Sequence, residues 1–131
     1  VQFGSVGANN NNVDLSSARS LKSLTFLTGA NTYTISSASN KVLGVSGGIT
    51  NNSSTTQTFN LVVENANANN TWTTITGSSL VFNNTVGVTS SSSSTSRTLT
   101  LAGGGNFTFN GSINNGGTAT AGKLTINVKC C

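Results

Sequence analysis

Nine short segments of the chain alternate apolar residues with Thr, Ser, Asn or another small residue. Alternation with a period of two is typical of β-strands that bury one face. The segments are 24–26, 32–35, 42–45, 58–61, 71–75, 80–82, 99–101, 107–109 and 124–126. Gly and Asn, which favour turns, close most of them. No stretch shows the spacing of an amphipathic helix, so the sequence predicts an all-β protein.

The strand-like segments recur at a period of about 19 residues, with two strands in each period, and repeats of this size are typical of solenoids. The 131 residues then form one domain, a single-stranded parallel β-helix (a β-solenoid) of about six turns, in which each strand pairs with its counterpart one period later. Alternating strands also suit a β-sandwich with strand exchange, which is the alternative fold.

Three regions depart from the repeat. Residues 1–12 are predicted to form an N-terminal strand and an Asn-rich tether, and residues 89–96 a Ser-rich protruding loop. Residues 123–131 are predicted to form a terminal strand that ends in a cysteine pair. Several asparagines at turn junctions are candidates for stacked amide ladders, although turn-forming Asn is the simpler interpretation. These are Asn31, Asn51, Asn70, Asn84 and Asn106.

The composition is dominated by small polar residues, because Ser, Thr, Asn and Gly account for 76 of 131 residues. The net charge of +4 comes from scattered side chains, without the basic stripe of a nucleic-acid-binding protein. No apolar run is long enough to cross a membrane as a helix. The chain begins at Val1 and has no Met, which fits a processed, exported chain or a trimmed one. The expected location is extracellular or at the cell surface.

Reactive side chains are scarce. The chain has no His, which removes the usual general base and the commonest metal ligand. Asp14 and Glu64 are its only acids, and although two carboxylates are enough for a glycosidase, surface acids are the simpler interpretation. Tyr33 and Trp72 are expected in the core rather than as platforms for sugar rings. The sequence therefore predicts no catalytic site, no cofactor and no metal.

Several low-complexity motifs follow one another in a distinctive order, over residues 3–5, 15–26, 33–35, 49–61, 71–72, 77–82 and 98–103. This order resembles that of the bacterial autotransporter-associated β-strand repeat proteins. The resemblance implies a right-handed parallel β-helix that is exported and displayed outside a bacterial cell, and it carries no catalytic residue over. The chain is not expected to include the translocator barrel of that family, whose members do not typically end in Cys-Cys.

A β-helix exposes a strand edge at each end, and no cap is evident in the sequence. We therefore expect a structural, exported subunit that assembles with itself, end to end, into an extracellular filament or sheath. An N-terminal strand inserted into a neighbouring copy is an alternative route. An adhesin-type module that binds surface polysaccharide or matrix is the alternative function. The expected contact or cross-link residues are Val1, Phe3, Leu124, Ile126, Val128, Cys130 and Cys131.

The two cysteines are adjacent at the end of the chain, and this leaves three interpretations. They form a strained vicinal disulfide, they bond to a neighbouring subunit, or they remain free thiols. Cross-linking between subunits suits a terminal pair in an exported protein.

Overall fold

The structure, a computed structural model, describes residues 1–5, 11–66, 68–89, 97–115 and 124–129. These residues contain no helix that could span a membrane. They form short strands throughout, because β-branched and aromatic residues alternate with small polar ones. The strands are β1 (Gln2–Phe3), β2 (Asn12–Asp14), β3 (Arg19–Leu21), β4 (Leu24–Phe26), β5 (Thr34–Ser36), β6 (Val42–Val45), β7 (Ile49–Asn51), β8 (Thr56–Asn60), β9 (Val62–Ala66), β10 (Asn70–Thr74), β11 (Ser79–Phe82), β12 (Val86–Thr89), β13 (Arg97–Ala102), β14 (Asn106–Phe109), β15 (Ile113–Asn114) and β16 (Leu124–Lys129).

The strands wind into three parallel sheets. Sheet 1 has the order β1-β4-β7-β10-β13-β16, sheet 2 the order β2-β5-β8-β11-β14, and sheet 3 the order β3-β6-β9-β12-β15. Neighbours in each sheet are three strands apart along the chain and pair in parallel. This arrangement is a parallel β-solenoid, and it confirms the predicted fold class. The alternative of a β-sandwich is wrong, because a sandwich of this kind is built from antiparallel strands.

Each turn contains three strands rather than the two that the sequence predicted. Paired residues are 20 positions apart where Leu43 pairs with Val63, and 29 positions apart where Thr71 pairs with Thr100. The turns are therefore longer than the predicted period of about 19 residues. The solenoid has about four turns between β1 and β13 instead of about six, and β16 adds one further strand to sheet 1.

The N-terminal strand belongs to its own chain. Strand β1 pairs with β4, and the Val1 ammonium donates a hydrogen bond to the Ser23 carbonyl oxygen at 2.9 Å. The alternative in which this strand inserts into a neighbour is therefore not the arrangement found here. Asn12, predicted as part of the tether, begins β2, and Thr89 ends β12. The rest of the predicted Ser-rich loop, and residues 6–10 of the predicted N-terminal region, lie outside the described residues.

The interior is one apolar column enclosed by the three sheets. In sheet 2, Phe59 and Phe82 stack with ring centroids 4.8 Å apart, and Phe82 and Phe109 stack at 5.2 Å. Trp72 reaches them from sheet 1, with its ring centroid 4.8 Å from that of Phe82. Tyr33 is also buried, so both predictions of a core position for Trp72 and Tyr33 are confirmed. Such stacked pairs add to the free energy gained from burying the ring area.

Several polar side chains are buried where the chain turns from one sheet to the next. Asn51 donates from Nδ2 to the carbonyl oxygens of Thr55 and Ser79, at 2.9 and 3.0 Å, and its Oδ1 accepts from the Ser53 amide. Backbone groups at buried turns need such partners, since an unpaired one is costly. In the part of the chain that the structure describes, the buried polar residues are Asn51, Ser53, Gln57, Asn65, Asn70, Thr74 and Ser78.

An amide ladder is present on the outer face of sheet 2, but it is built from other residues than those predicted. Asn83 donates to Asn60 at 2.8 Å, and Asn110 donates to Asn83 at 2.7 Å. Of the predicted candidates, Asn51 and Asn70 are buried, with 0% and 4% of their surface exposed. Their amides bond to carbonyl oxygens at the turns instead.

Gly103 is required by the turn between β13 and β14. Its φ is 98°, and a Cβ at this position would lie 2.1 Å from the Thr74 carbonyl oxygen. We expect Gly103→Ala to lower the free energy of unfolding by more than about 1 kcal/mol, because alanine disfavours a positive φ and its Cβ would clash with the Thr74 carbonyl oxygen. Equilibrium urea unfolding measures the change.

Gly77 provides the matched control for that substitution. Its φ is 82°, but no atom lies within 4 Å of a Cβ built there. Gly77→Ala therefore carries the conformational cost without the clash, and it should destabilise the protein less than Gly103→Ala. Equal losses for the two variants would contradict the role given to the close approach of Thr74.

Candidate assembly edges

Among the described residues, the three strands of the first turn pair on one side only. Strands β1, β2 and β3 are the terminal strands of sheets 1, 2 and 3, and each pairs with the next strand of its own sheet. Their other sides present N–H and C=O groups that can pair with another strand. We call these three strands the N-terminal edge.

An apolar cavity of about 220 Å³ opens at the N-terminal edge. It forms because the inward-facing side chains of the first turn have a neighbouring turn on only one side. Val1 is 58% exposed, and Phe3 packs on the core with its ring centroid 5.4 Å from that of Phe26. The cavity is lined by Val1, Phe3, Val13, Leu15, Arg19, Leu21, Leu24, Ile35 and Leu43.

The last strands form a comparable edge at the opposite end. Strands β14, β15 and β16 end sheets 2, 3 and 1, and we call them the C-terminal edge. Ile126 and Val128 on β16 pair in register with Leu99 and Leu101 of β13, yet they are 41% and 66% exposed. Their exposure follows from their position, since no strand of the described chain covers β16. A hollow of about 370 Å³ lies here, beside Leu101, Phe107, Phe109 and Val128.

Charged groups are few at both edges. At the N-terminal edge they are the Val1 ammonium, Asp14 on β2 and Arg19 on β3. Arg19 is exposed, pairs in register with the buried Leu43 and lines the cavity. Lys129, at the end of β16, is also exposed. Surfaces that are mainly apolar and carry few charged groups are typical of those that become buried in an assembly.

The acidic residues do not come together. Asp14 lies on β2 in sheet 2, where its Oδ1 accepts a hydrogen bond from the Ala38 amide at 3.0 Å, and Glu64 lies on β9 in sheet 3. Within the part of the chain that the structure describes, no three His, Cys, Asp or Glu side chains are grouped to hold a metal ion.

The aromatic side chains are all on the inside or at the edges. Trp72, Tyr33, Phe26, Phe59 and Phe82 are buried. The remaining three, Phe3, Phe107 and Phe109, are partly buried in the first and last turns. The outer faces of the sheets thus offer no aromatic ring on which a sugar could stack.

Of the contact residues predicted from the sequence, four can be placed by their side chains. Val1 and Phe3 lie at the N-terminal edge, and Ile126 and Val128 at the C-terminal edge. Leu124 is the first residue of β16, whereas Cys130 and Cys131 lie outside the described residues.

Sequence reasoning missed further apolar residues of the two edges. They are Val13, Leu15, Leu21, Phe107, Phe109 and Ile113, which are partly buried and pack against the core. Their position in the first and last repeats of the sequence could have identified them, because an inward-facing residue there has a neighbouring turn on one side only.

The comparisons with known proteins gave no relative for this chain. No family model, no curated protein and no solved structure matches it.

Proposed function

We propose that this chain is a structural subunit that assembles with itself, end to end, into an extracellular filament or sheath. The observation that carries the proposal is the pair of parallel edges that no described strand covers, each with apolar inward-facing residues that a strand of another copy could bury. Removing apolar surface from water at the contact would stabilise the assembly by about 25 cal/mol for each Å². Pairing of the free backbone groups would also favour association.

The two edges favour a head-to-tail contact. The N-terminal edge of one copy and the C-terminal edge of another are made of different residues, and stacking them keeps every strand parallel, as within the chain. A heterologous contact of this kind repeats without limit unless its rotation closes a ring. The expected product is therefore a filament along the solenoid axis.

The extracellular location rests on composition. The chain has few charged residues and abundant Ser, Thr and Asn, which is typical of exported surface proteins. A second candidate function, as a module that binds surface polysaccharide, is favoured by the exposed ladder of Asn60, Asn83 and Asn110. We rank it second because the outer faces offer hydrogen-bonding amides but no aromatic ring for stacking.

Placing a charge on the C-terminal edge tests the assembly. Val128→Lys puts an ammonium among inward-facing residues, where stacking would remove it from water at high cost. We expect concentration-dependent filaments of the 131-residue chain in electron micrographs. We also expect the variant to lower the assembled fraction in sedimentation at least about tenfold.

The matched control is Thr125→Lys, which adds the same charge to the outward face of the same strand. Thr125 is exposed, and stacking leaves the outward face in water. The control should therefore assemble like the parent chain. A parent chain that stays monomeric at high concentration would contradict the proposal. If that monomer sediments with an insoluble polysaccharide, the second candidate is favoured.

The cysteine pair adds a further element to the proposal, on the strength of the sequence alone. Cross-links through Cys130 or Cys131 would make the joins between subunits covalent in an oxidising compartment. In that case oxidised filaments should run as covalent ladders on non-reducing gels.

A further inference from the structure

The ends of the solenoid are stepped rather than flat. The described strands number sixteen, so sheet 1 has six strands whereas sheets 2 and 3 have five each. At the C-terminal edge β16 therefore lies one level beyond β14 and β15. Because the strands follow one another through sheets 1, 2 and 3, a strand that continued the solenoid after β16 would lie in sheet 2 and pair with β14.

We infer that successive copies stack with a rotation of about 120°, one sheet of the three, so that the solenoid winding continues from copy to copy. This inference rests on the proposed end-to-end assembly. In this arrangement β1 of the incoming copy lies on β14, its β2 on β15, and its β3 on β16. Sixteen strands in three sheets then give a rise per subunit of about 26 Å, from a spacing of about 4.8 Å between levels.

Stacking without rotation leaves part of the contact empty. If β1 of the incoming copy lay on β16 in sheet 1, its β2 and β3 would sit one level too far from β14 and β15. Sheets 2 and 3 would each lack one strand at the contact, so the facing strands would be about 4.8 Å farther apart than paired strands are. The backbone groups on both sides of each gap would be unpaired. The rotated arrangement pairs all three strands of each edge.

The inner side chains also match in the rotated arrangement. Within sheet 2, Phe59, Phe82 and Phe109 pair in register and form a stack. Placing Phe3 of the incoming copy on Phe109 extends this stack, and two positions earlier Val1 then meets Phe107. Aromatic pairs at such spacing are favourable beyond the area they bury.

The other two strands bring apolar residues together as well. Val13 on β2 approaches Ile113 on β15, and both are partly buried residues that pack against their own core. Leu21 on β3 approaches Ile126 and Val128, the exposed apolar residues of β16. Arg19 pairs in register with the buried Leu43 and so lies on the same inward side of β3 as Leu21. In the rotated contact its methylene stem covers apolar surface, and its charged group has to extend past the start of β3 to reach water.

Cysteine pairs distinguish the rotated from the unrotated contact. In a background with Cys130→Ser and Cys131→Ser, Gln2→Cys with Thr108→Cys tests the rotated one, because Phe3 on Phe109 places Gln2 on Thr108. Gln2→Cys with Lys129→Cys tests the unrotated one, because Gln2 and Lys129 lie in one column of sheet 1. Paired positions of neighbouring strands lie within the distance that a disulfide spans. Gln2, Thr108 and Lys129 are exposed, so neither pair disturbs the core.

We expect the pair at positions 2 and 108 to give covalent ladders on non-reducing gels, at least about tenfold stronger than the pair at positions 2 and 129. Cryo-electron microscopy of the parent filaments should give a rotation near 120° and a rise near 26 Å per subunit. Filaments with a rotation near 0°, or ladders from the pair at 2 and 129 alone, would overturn the inference while leaving end-to-end assembly intact. Filaments that cross-link through neither pair would also overturn it. A parent chain that forms no filaments overturns both proposals.

Discussion

Replacing Phe82 with alanine is expected to lower the free energy of unfolding by about 3–5 kcal/mol. Phe82 is 1% exposed and stacks against Phe59, Trp72 and Phe109, with ring centroids 4.8, 4.8 and 5.2 Å away. Its removal opens a cavity between sheets 1 and 2 in the middle turns, where the rigid backbone ladders leave little freedom to collapse. Equilibrium denaturant unfolding at a concentration that keeps the chain monomeric measures the loss.

Two further variants make this experiment specific. Val81→Ala removes a half-buried side chain from the outer face of the same strand, so it should cost much less than the loss of the ring. Phe82→Leu keeps most of the volume and should recover much of the stability. A loss of less than about 1 kcal/mol for Phe82→Ala would contradict the central place given to the aromatic stack.

Replacing Gln57 with leucine is expected to destabilise the protein by about 2–3 kcal/mol, although the change makes the core more apolar. Gln57 is fully buried, and its Oε1 accepts a hydrogen bond from the Tyr33 amide at 2.8 Å. Its Nε2 lies 3.0 Å from the Asn31 carbonyl oxygen, 3.0 Å from Ser53 Oγ and 2.8 Å from Thr55 Oγ1. Leucine can replace none of these bonds.

Thr58→Val provides the control for this second substitution. Thr58 follows Gln57 on the same strand and faces outward, so the change should alter stability by no more than about 0.5 kcal/mol. Chemical unfolding monitored by tryptophan fluorescence suits both variants, since Trp72 lies in the same core. A Gln57→Leu chain as stable as the parent would mean that the turn at Tyr33 pairs its amide in another way.

The fold class could be predicted because several strands alternate cleanly. Strands such as β4, β11 and β13 each place two apolar residues on the inner face, and the pattern marks them. Their recurrence at intervals of similar length then favoured a solenoid over a sandwich.

The number of strands per turn could not be predicted, for a physical reason. Strands β2 and β3 each have a single inward apolar residue, Val13 and Leu21, which is too little for a period to appear. In β9 the inward positions are Val63 and Asn65, and the second is a buried amide rather than an apolar side chain. Polar residues that pair with backbone groups at buried turns look like surface residues in a sequence, so strands such as β9 were missed and each turn was assigned two strands instead of three.

The candidate edges were predicted in outline only. The sequence indicated that the first and last strands would be uncovered, and Val1, Phe3, Ile126 and Val128 lie there. The contributions of Leu21, Phe107 and Ile113 depend on which turn each strand occupies. That assignment required the register of all three sheets.

The uneven distribution of burial along the solenoid axis has a consequence for how the chain acquires its structure. Fully enclosed side chains such as Trp72, Phe82 and Gln57 belong to the middle turns, whereas the outermost turns have partly enclosed ones. In a molecule in which each turn contacts only its neighbours, ordering is expected to nucleate at the best-stabilised turns and to spread outward. The strands of the two edges would then fold last. Association with another copy would therefore begin only after the middle turns have folded, and would not compete with their folding.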